Sequence, residues 1–177
     1  GRERRLLLRG GLLALSVTLA LLALAPQLTA KEPKVKIFKP FKLKTLDGTK
    51  KNFADYQGKL TLVAFFYPQC PFCKVSLPHV EKMYGKFREQ GLSVVLINVV
   101  EQEDNLIPKF LEDHGLTFPV LTGAWQPSLM RDYDLRATPT HILVGADNAI
   151  LFRQDGYTAG DEEKLEAKIT EALTAIH

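Results

Sequence analysis

The 177-residue sequence has few of the residues that build metal sites and disulfide scaffolds, with two cysteines, one tryptophan and four histidines. Two cysteines are too few for a disulfide-rich fold or a four-cysteine zinc site. The histidines lie singly, without the spacing of metal ligands, and are His79, His114, His141 and His177. We therefore expect no bound metal.

The sequence also has no internal repeat, no low-complexity segment and no apolar run of the roughly 20 residues that a membrane span needs. Hydrophobic residues make up 46% of the chain and charged residues 24%, which fits one globular domain with a sizeable core. Charge is unevenly spread: residues 31–59 hold nine Lys and Arg against three Asp and Glu, and residues 60–177 hold ten against sixteen. We expect no nucleic-acid partner.

The first thirty residues have the layout of a signal peptide. Four arginines among the first nine residues precede an apolar run from Leu12 to Ala25, which Pro26 ends. The run is short for a permanent anchor, which favours cleavage, but the small-residue cleavage site is poorly formed. A cleaved signal and an uncleaved anchor through residues 6–25 both stay open, and so does the export route.

This leader divides the chain into three parts. We predict a signal peptide or membrane anchor at residues 1–30, a Lys- and Pro-containing linker at residues 31–40 and one domain at residues 41–177. Whether the leader is a cleaved signal or an uncleaved anchor, its arginine-rich start stays in the cytoplasm and the domain lies outside. The predicted location is therefore extracytoplasmic, in the bacterial periplasm or on the outer face of the cytoplasmic membrane.

The hydrophobic pattern predicts alternating strands and helices. Residues 41–53 alternate apolar and polar side chains around Asp47-Gly48, a hairpin signal. The apolar run 60–66 predicts a buried strand, and the helical spacing after Pro71 predicts a helix that Gly91 ends. Further strands are predicted at 92–100, 117–121, 140–144 and 149–153, with helices at 105–114, 126–133 and 161–176. This order indicates an α/β fold with a mixed sheet and helices on both faces.

The two cysteines lie between the first buried strand and the helix, in Cys70-Pro71-Phe72-Cys73. A cysteine at a helix N-terminus meets unpaired amide donors and the positive end of the helix dipole. Its thiol pKa should fall from about 8.5 into the range of about 3.5–7.5 found in such motifs, which makes Cys70 the candidate nucleophile. Cys73, one turn on and deeper, can then attack the mixed disulfide and release the substrate.

Other interpretations of the pair stay open on the residues alone. A structural disulfide is one, although a two-residue spacer constrains the unfolded chain little. A zinc half-site is another, although the chain has no second cysteine pair to complete it. Two idle buried cysteines are the third. The strand-to-helix position and the export signal favour a redox pair over all of them.

Several motifs together resemble the thioredoxin-fold proteins of the membrane-anchored type that includes TlpA and ResA, which are related to the redoxins. The resemblance covers about residues 41–174. Its motifs are Leu46-Asp47-Gly48, Gly58-Lys59, Phe65-Phe66-Tyr67, Cys70 to Lys74, Pro78, Asn98 to Glu101, Phe118-Pro119-Val120, Tyr133 and Ala137-Thr138-Pro139-Thr140. It implies a thioredoxin-like fold, in which a central mixed sheet is flanked by helices and preceded by an N-terminal β-hairpin.

The resemblance also implies an activity. It indicates an exported thiol-disulfide oxidoreductase that exchanges the Cys70–Cys73 pair with protein thiols and disulfides, as a reductant in cytochrome c maturation or thiol repair. An upstream membrane protein would supply the electrons. We expect no cofactor beyond the redox-active Cys70–Cys73 disulfide, and a monomer.

The resemblance implies further site residues. Pro139 would be a cis proline against the disulfide, Thr138 would offer its backbone to an extended substrate, and Pro71 and Phe72 would touch that substrate. Two family acids are absent, because Ala64 stands six positions before Cys70 and Ser76 three after Cys73.

Without these acids, proton transfer to and from Cys73 needs another group. Glu101, at the end of its predicted strand, is the candidate.

Two other functions stay open. Phe66-Tyr67-Pro68 is similar to the segment before the reactive cysteine of peroxiredoxins, which indicates a thiol peroxidase. Those proteins need a threonine three positions before that cysteine, however, and Tyr67 stands there. The other function is a non-catalytic module or haem-delivery chaperone that binds a client through the cysteines.

Overall fold

A computed structural model describes residues 36–123 and 127–176. The predicted signal peptide or anchor at residues 1–30 and the start of the predicted linker lie outside the described residues. No helix in the described ranges is long and apolar enough to cross a bilayer.

Seven strands and four α-helices follow one another along the described chain, and three of the described connections contain a short 3-10 turn. The strands are β1 (Lys42–Thr45), β2 (Lys50–Asn52), β3 (Leu60–Phe66), β4 (Leu92–Asn98), β5 (Val120–Thr122), β6 (Thr140–Gly145) and β7 (Ile150–Asp155). The helices are α1 (Pro71–Phe87), α2 (Ile107–His114), α3 (Pro127–Asp132) and α4 (Asp161–Ile176).

The strands form one mixed sheet in the order β2-β1-β5-β4-β3-β6-β7. The neighbours β3 and β4 are parallel, as are β4 and β5, and the other pairs are antiparallel. β3 lies between β4 and β6, and all of its residues are buried. This agrees with the continuous apolar run, which is typical of a strand covered on both faces. The α/β class predicted from the sequence is confirmed.

The strand β3 divides the core between the two faces of the sheet. Leu62 and Phe66 point to the face covered by α1, α2 and α4, and both cysteines belong to that cluster. Val63 and Phe65 point to the other face, where they pack in an aromatic cluster with Phe38, Phe41, Phe53 and Tyr133. The alternation of successive side chains between faces produces this division.

The domain begins earlier than predicted. Ile37 forms a bridge with Ala149, and Phe38 is 1% exposed in the aromatic cluster, so both belong to the domain and not to a linker. The alternation of lysines with apolar residues in this segment was predicted to be a solvated linker. In the structure, this alternation of lysines with apolar residues is the two-residue repeat of a half-buried extended chain at a sheet edge.

Two elements begin at least two residues later than predicted. The strand predicted from residue 117 begins at Val120, because the backbone N–H and the hydroxyl of Thr117 donate to the Glu81 carboxylate at 2.9 and 2.7 Å. The helix predicted from residue 105 begins at Ile107, after a 3-10 turn over Glu101–Leu106. Pro108 suits the first turn of this helix, where an amide hydrogen has no partner in any case.

Candidate active site

Cys70 occupies the N-cap of α1, directly after the turn that leaves β3. Its backbone N–H donates to the Tyr67 carbonyl at 3.1 Å, which closes that turn. Pro71 fits the first helical position, so the helix begins at the cysteine. The Cys70 Sγ accepts a hydrogen bond from the Cys73 N–H at 3.2 Å. The sulfur therefore takes the place of the side-chain oxygen that usually caps a helix.

The surroundings of Cys70 favour the thiolate. The hydrogen bond from the Cys73 side chain is the largest effect, and bonds from the Thr138 hydroxyl and the backbone N–H groups of Phe72 and Cys73 add to it. Burial opposes them, and the pKa of Cys70 falls from 9.0 to about 6. This value lies inside the range predicted for a cysteine at a helix N-terminus. Cys70 is an anion at neutral pH.

Cys73 has the opposite properties. Its side chain is fully buried in the core under α1. Burial raises the pKa of the Cys73 thiol far above its ordinary value, and the hydrogen bond to Cys70 and the negative charge there raise it further. Both cysteines are free in this structure. The pair thus holds one reactive thiolate and one protected thiol, as a nucleophile and a resolving residue need.

The loop before β6 faces the Cys70 sulfur. The Thr138–Pro139 peptide bond is cis, which confirms the isomer that the resemblance implied. The Thr138 hydroxyl and carbonyl oxygens each lie 3.5 Å from the Cys70 Sγ. The hydroxyl donates to the thiolate, and the carbonyl accepts from the thiol. Thr138 therefore contacts the sulfur in both protonation states.

Apolar side chains are exposed at the start of α1 and line a groove beside the Thr138 loop. Phe72 is 55% exposed and Val75 is 53% exposed at the start of α1. A groove of about 200 Å³ lies against the loop with Thr138, and Val99 and Leu135 line it. Exposed apolar side chains beside a reactive group indicate a surface for a partner. Phe72 is thus an exposed apolar side chain two residues after Cys70, and its contact with a substrate stays a prediction.

The structure does not place Glu101 beside the cysteines. The prediction that Glu101 carries the proton of Cys73 is therefore corrected. Glu101 is exposed and lines a separate groove with Lys44 and Thr122, on β1 and β5. In a 3-10 turn, residues three apart lie on the same side. Glu101 therefore shares its side with Asp104, which accepts from the Thr122 hydroxyl at 2.7 Å.

Glu103 is the acid beside the active-site turn. Its Oε2 accepts from the Gln69 N–H at 2.8 Å, and its charge helps raise the pKa of Tyr67, after burial and the two cysteines. The sequence reasoning missed this residue. The sequence signal for it is the acidic run Glu101-Gln102-Glu103-Asp104 after a buried strand. The run indicates an acid near the cysteines, but the geometry of the turn decides which acid it is.

Within the described ranges, no three His, Cys, Asp or Glu side chains are close enough together to hold a metal ion. The zinc interpretation of the cysteine pair therefore has no ligand set in that part of the chain.

Comparison with known proteins identifies the family. The family model described as Redoxin matches residues 29–169. The chain belongs to the Redoxin family. The thiol-disulfide oxidoreductase ResA of Halalkalibacterium halodurans is 29% identical over 133 residues, which cover 75% of this chain and 73% of that protein. The sporulation thiol-disulfide oxidoreductase A of Bacillus subtilis is 28% identical over 128 residues, 71% of this chain and 75% of that protein.

Solved structures agree on the architecture. A thiol:disulfide interchange protein of the thioredoxin family from Chlorobium tepidum matches with a TM-score of 0.67, over 80% of this chain and 99% of its own, at 22% identity. At that identity the match shows the fold alone. This Redoxin-family chain has the thioredoxin-like fold, and the predicted family and fold class are both confirmed.

Proposed function

We propose that this protein is an exported thiol-disulfide oxidoreductase that reduces disulfides in other proteins. The observation that carries the proposal is the pair of unlike thiols at one helix start. The Cys70 Sγ faces Thr138 beside an apolar surface, and Cys73 lies buried directly behind it. The family match and the names of the relatives support the same class of reaction.

The proposed reaction has two steps. The Cys70 thiolate attacks one sulfur of a substrate disulfide, so the substrate S–S bond breaks, a mixed disulfide forms and the other substrate sulfur leaves as the first thiolate. Cys73 then attacks Cys70, which releases the second substrate thiolate and leaves the Cys70–Cys73 disulfide as the only redox group. An extended substrate segment lies between Thr138 and Pro139 on one side and Pro71 and Phe72 on the other.

The pKa of Cys70 supports reduction as the direction. A thiolate that is strongly stabilised makes the disulfide form a strong oxidant, as in DsbA, whose cysteine has a pKa of about 3.5. The Cys70 pKa of about 6 lies nearer to the value of about 7 in thioredoxin. The remaining parts of the proposal are a periplasmic or outer-face location, an upstream membrane electron donor, clients in cytochrome c maturation or thiol repair, and a monomeric state.

Trapping of mixed disulfides tests the assigned roles. We expect Cys73→Ser to accumulate a covalent complex with a disulfide substrate, whereas Cys70→Ser forms none. The wild-type protein should also accelerate insulin reduction by dithiothreitol, whereas a binding module or chaperone would bind without turnover. Equal trapping by the two variants would contradict the roles of the cysteines.

The equilibrium potential of the pair tests the direction. A value near about −270 mV, as in thioredoxin, would support a reductant, and one near about −120 mV, as in DsbA, would show an oxidant.

A further inference from the structure

Cys73 has to lose its proton inside the core. The thiolate is the attacking species in disulfide exchange, and the Cys73 side chain is fully buried. Burial raises its pKa, so release of the proton to bulk water is slow without an acceptor within the protein. Glu101 lines a separate groove, and the Glu103 carboxylate accepts from the Gln69 N–H, which leaves the buried polar groups on the α1 side of the sheet as candidate acceptors.

Among the residues that the structure describes, two buried side-chain polar atoms lack a hydrogen-bond partner, the Ser76 Oγ and the His141 Nε2. Ser76 is 2% exposed and His141 is 3% exposed. Ser76 lies three residues after Cys73 in α1, a spacing that brings side chains together on one helix face. Unpaired buried polar atoms are rare in folded proteins, so two near one reactive thiol indicate a role.

The sheet places His141 on the same side as Cys73. His141 in β6 is the direct antiparallel partner of Ala64 in β3. Side chains of such partners point to the same face, with Cβ atoms about 4.5–5.5 Å apart. Ala64 belongs to the buried cluster that contains Cys73. The small Ala64 side chain leaves space beside the imidazole on the Cys73 side of β3.

Ser76 and His141 line one small cavity between α1, β6, β7 and α4. It has room for the centre of a water molecule in about 10 Å³, which is the space that one water needs. The other titratable groups that face this cavity are His79, Tyr157, Asp161 and Glu162.

Burial lowers the pKa of His141 to about 4, and the charge of Asp161 opposes that change. The ring is therefore neutral at pH 7 and has an unprotonated nitrogen available.

We propose that His141 receives the proton of Cys73 by way of the Ser76 hydroxyl, with one buried water completing the path. The proposal rests on the proposed function and deepens it by naming the proton relay of the resolving step. His141 is in this view a positioning residue, because it acts on Cys73 through Ser76. The imidazolium that forms is stabilised by Asp161 and by the new Cys73 thiolate.

Protons and electrons balance in this step. After Cys70 has formed the mixed disulfide, the Cys73 proton passes to the Ser76 Oγ as the Ser76 proton passes to the buried water. A proton of that water passes to the His141 Nε2, because the Ser76 Oγ and the Nε2 are not bonded to each other directly. The Cys73 thiolate attacks the Cys70 Sγ, so the Cys70–Cys73 bond forms and the bond from Cys70 to the substrate breaks. The substrate thus gains two electrons in total, the cysteine pair loses them, and the imidazolium later gives its proton to water.

Reaction with an aromatic disulfide that releases a coloured thiolate separates the two steps. With DTNB, the first thiolate is released when Cys70 attacks and the second when Cys73 resolves the mixed disulfide. We expect His141→Gln and Ser76→Ala to slow the second release at least about tenfold and to leave the first unchanged. In both variants the second rate should rise about tenfold per pH unit from about pH 6 to about pH 9, because hydroxide then replaces the relay.

The matched control is His114→Gln, since His114 lies at the end of α2 and bonds to the Phe110 carbonyl. Both of its rates should equal those of the wild-type protein. If His141→Gln fails to fold, Ser76→Ala removes only a hydroxyl and carries the test. An unchanged second rate in Ser76→Ala, or an equal loss in both rates, would overturn the relay. Failure of the wild-type protein to reduce insulin would instead overturn the proposed function.

Discussion

Two cysteines that stand three positions apart differ strongly because their surroundings differ. Cys70 caps a helix and accepts hydrogen bonds, whereas Cys73 is enclosed by the core. Helix position alone predicted the lowered pKa of Cys70. The contact with the Thr138 hydroxyl at 3.5 Å comes from a residue 68 positions away, and no local pattern reveals it. The resemblance to a family implied only that the backbone of Thr138 would be used.

Removal of that hydroxyl should raise the pKa of Cys70. We expect Thr138→Val to raise it by about 0.5–1 unit, since one hydrogen bond to the thiolate is lost and a pKa unit corresponds to about 1.4 kcal/mol. The measurement is the rate of iodoacetamide alkylation against pH, which in the wild-type protein should have its midpoint near pH 6. Thr170→Val, on the exposed side of α4, is the control and should not move the midpoint. An unchanged midpoint in Thr138→Val would show that its hydroxyl does not act on the sulfur.

At the scale of elements, β7 holds the loop that carries Thr138. The Arg153 guanidinium donates to the Tyr133 carbonyl at 2.6 Å and to the Asp134 carbonyl at 2.8 Å. On the other side of the loop, the Gly156 N–H donates to the Pro139 carbonyl at 2.7 Å. The segment before β6 is therefore fixed at both ends, by Arg153 in β7 and by Gly156 directly after that strand.

Loosening this attachment should affect large substrates more than small ones. We expect Arg153→Met, which keeps much of the aliphatic length, to lower kcat/KM for insulin reduction about threefold to tenfold, because the substrate needs an ordered loop. The first thiolate release from DTNB should change by less than about twofold, since it needs only the Cys70 thiolate. Arg88→Met, at an exposed surface ion pair, is the matched control. Equal losses with both substrates in Arg153→Met would mean that the loop does not select for protein substrates.

The strands and the cysteine pair could be predicted from local patterns because their determinants are local. Alternation, apolar runs and the position of Pro71 determine most boundaries in the described chain. The error at Glu101 has a different cause, since which acid of an acidic run faces the cysteines depends on the phase of a 3-10 turn. His141 looked like an isolated histidine in sequence, and only the register of β6 against β3 places it opposite Ala64. Residues that long-range pairing brings together leave no signal in one segment of sequence.

For the whole molecule, the unlike pKa values determine how the redox potential depends on pH. Below the Cys70 pKa of about 6, reduction of the disulfide takes up two protons with two electrons. Above it, Cys70 stays a thiolate and only Cys73 takes up a proton, because burial keeps the Cys73 pKa well above neutral. We therefore expect the potential to fall by about 59 mV per pH unit below pH 6 and by about 30 mV per unit between about pH 7 and 9.

Equilibration of the protein with glutathione buffers across this range measures both slopes. In Thr138→Val the change of slope should move to higher pH together with the alkylation midpoint, because the same thiolate controls both quantities. A single slope of about 59 mV per unit up to about pH 8 would mean that Cys70 is protonated at neutral pH. In that case the division of the pair into a thiolate and a protected thiol would not hold.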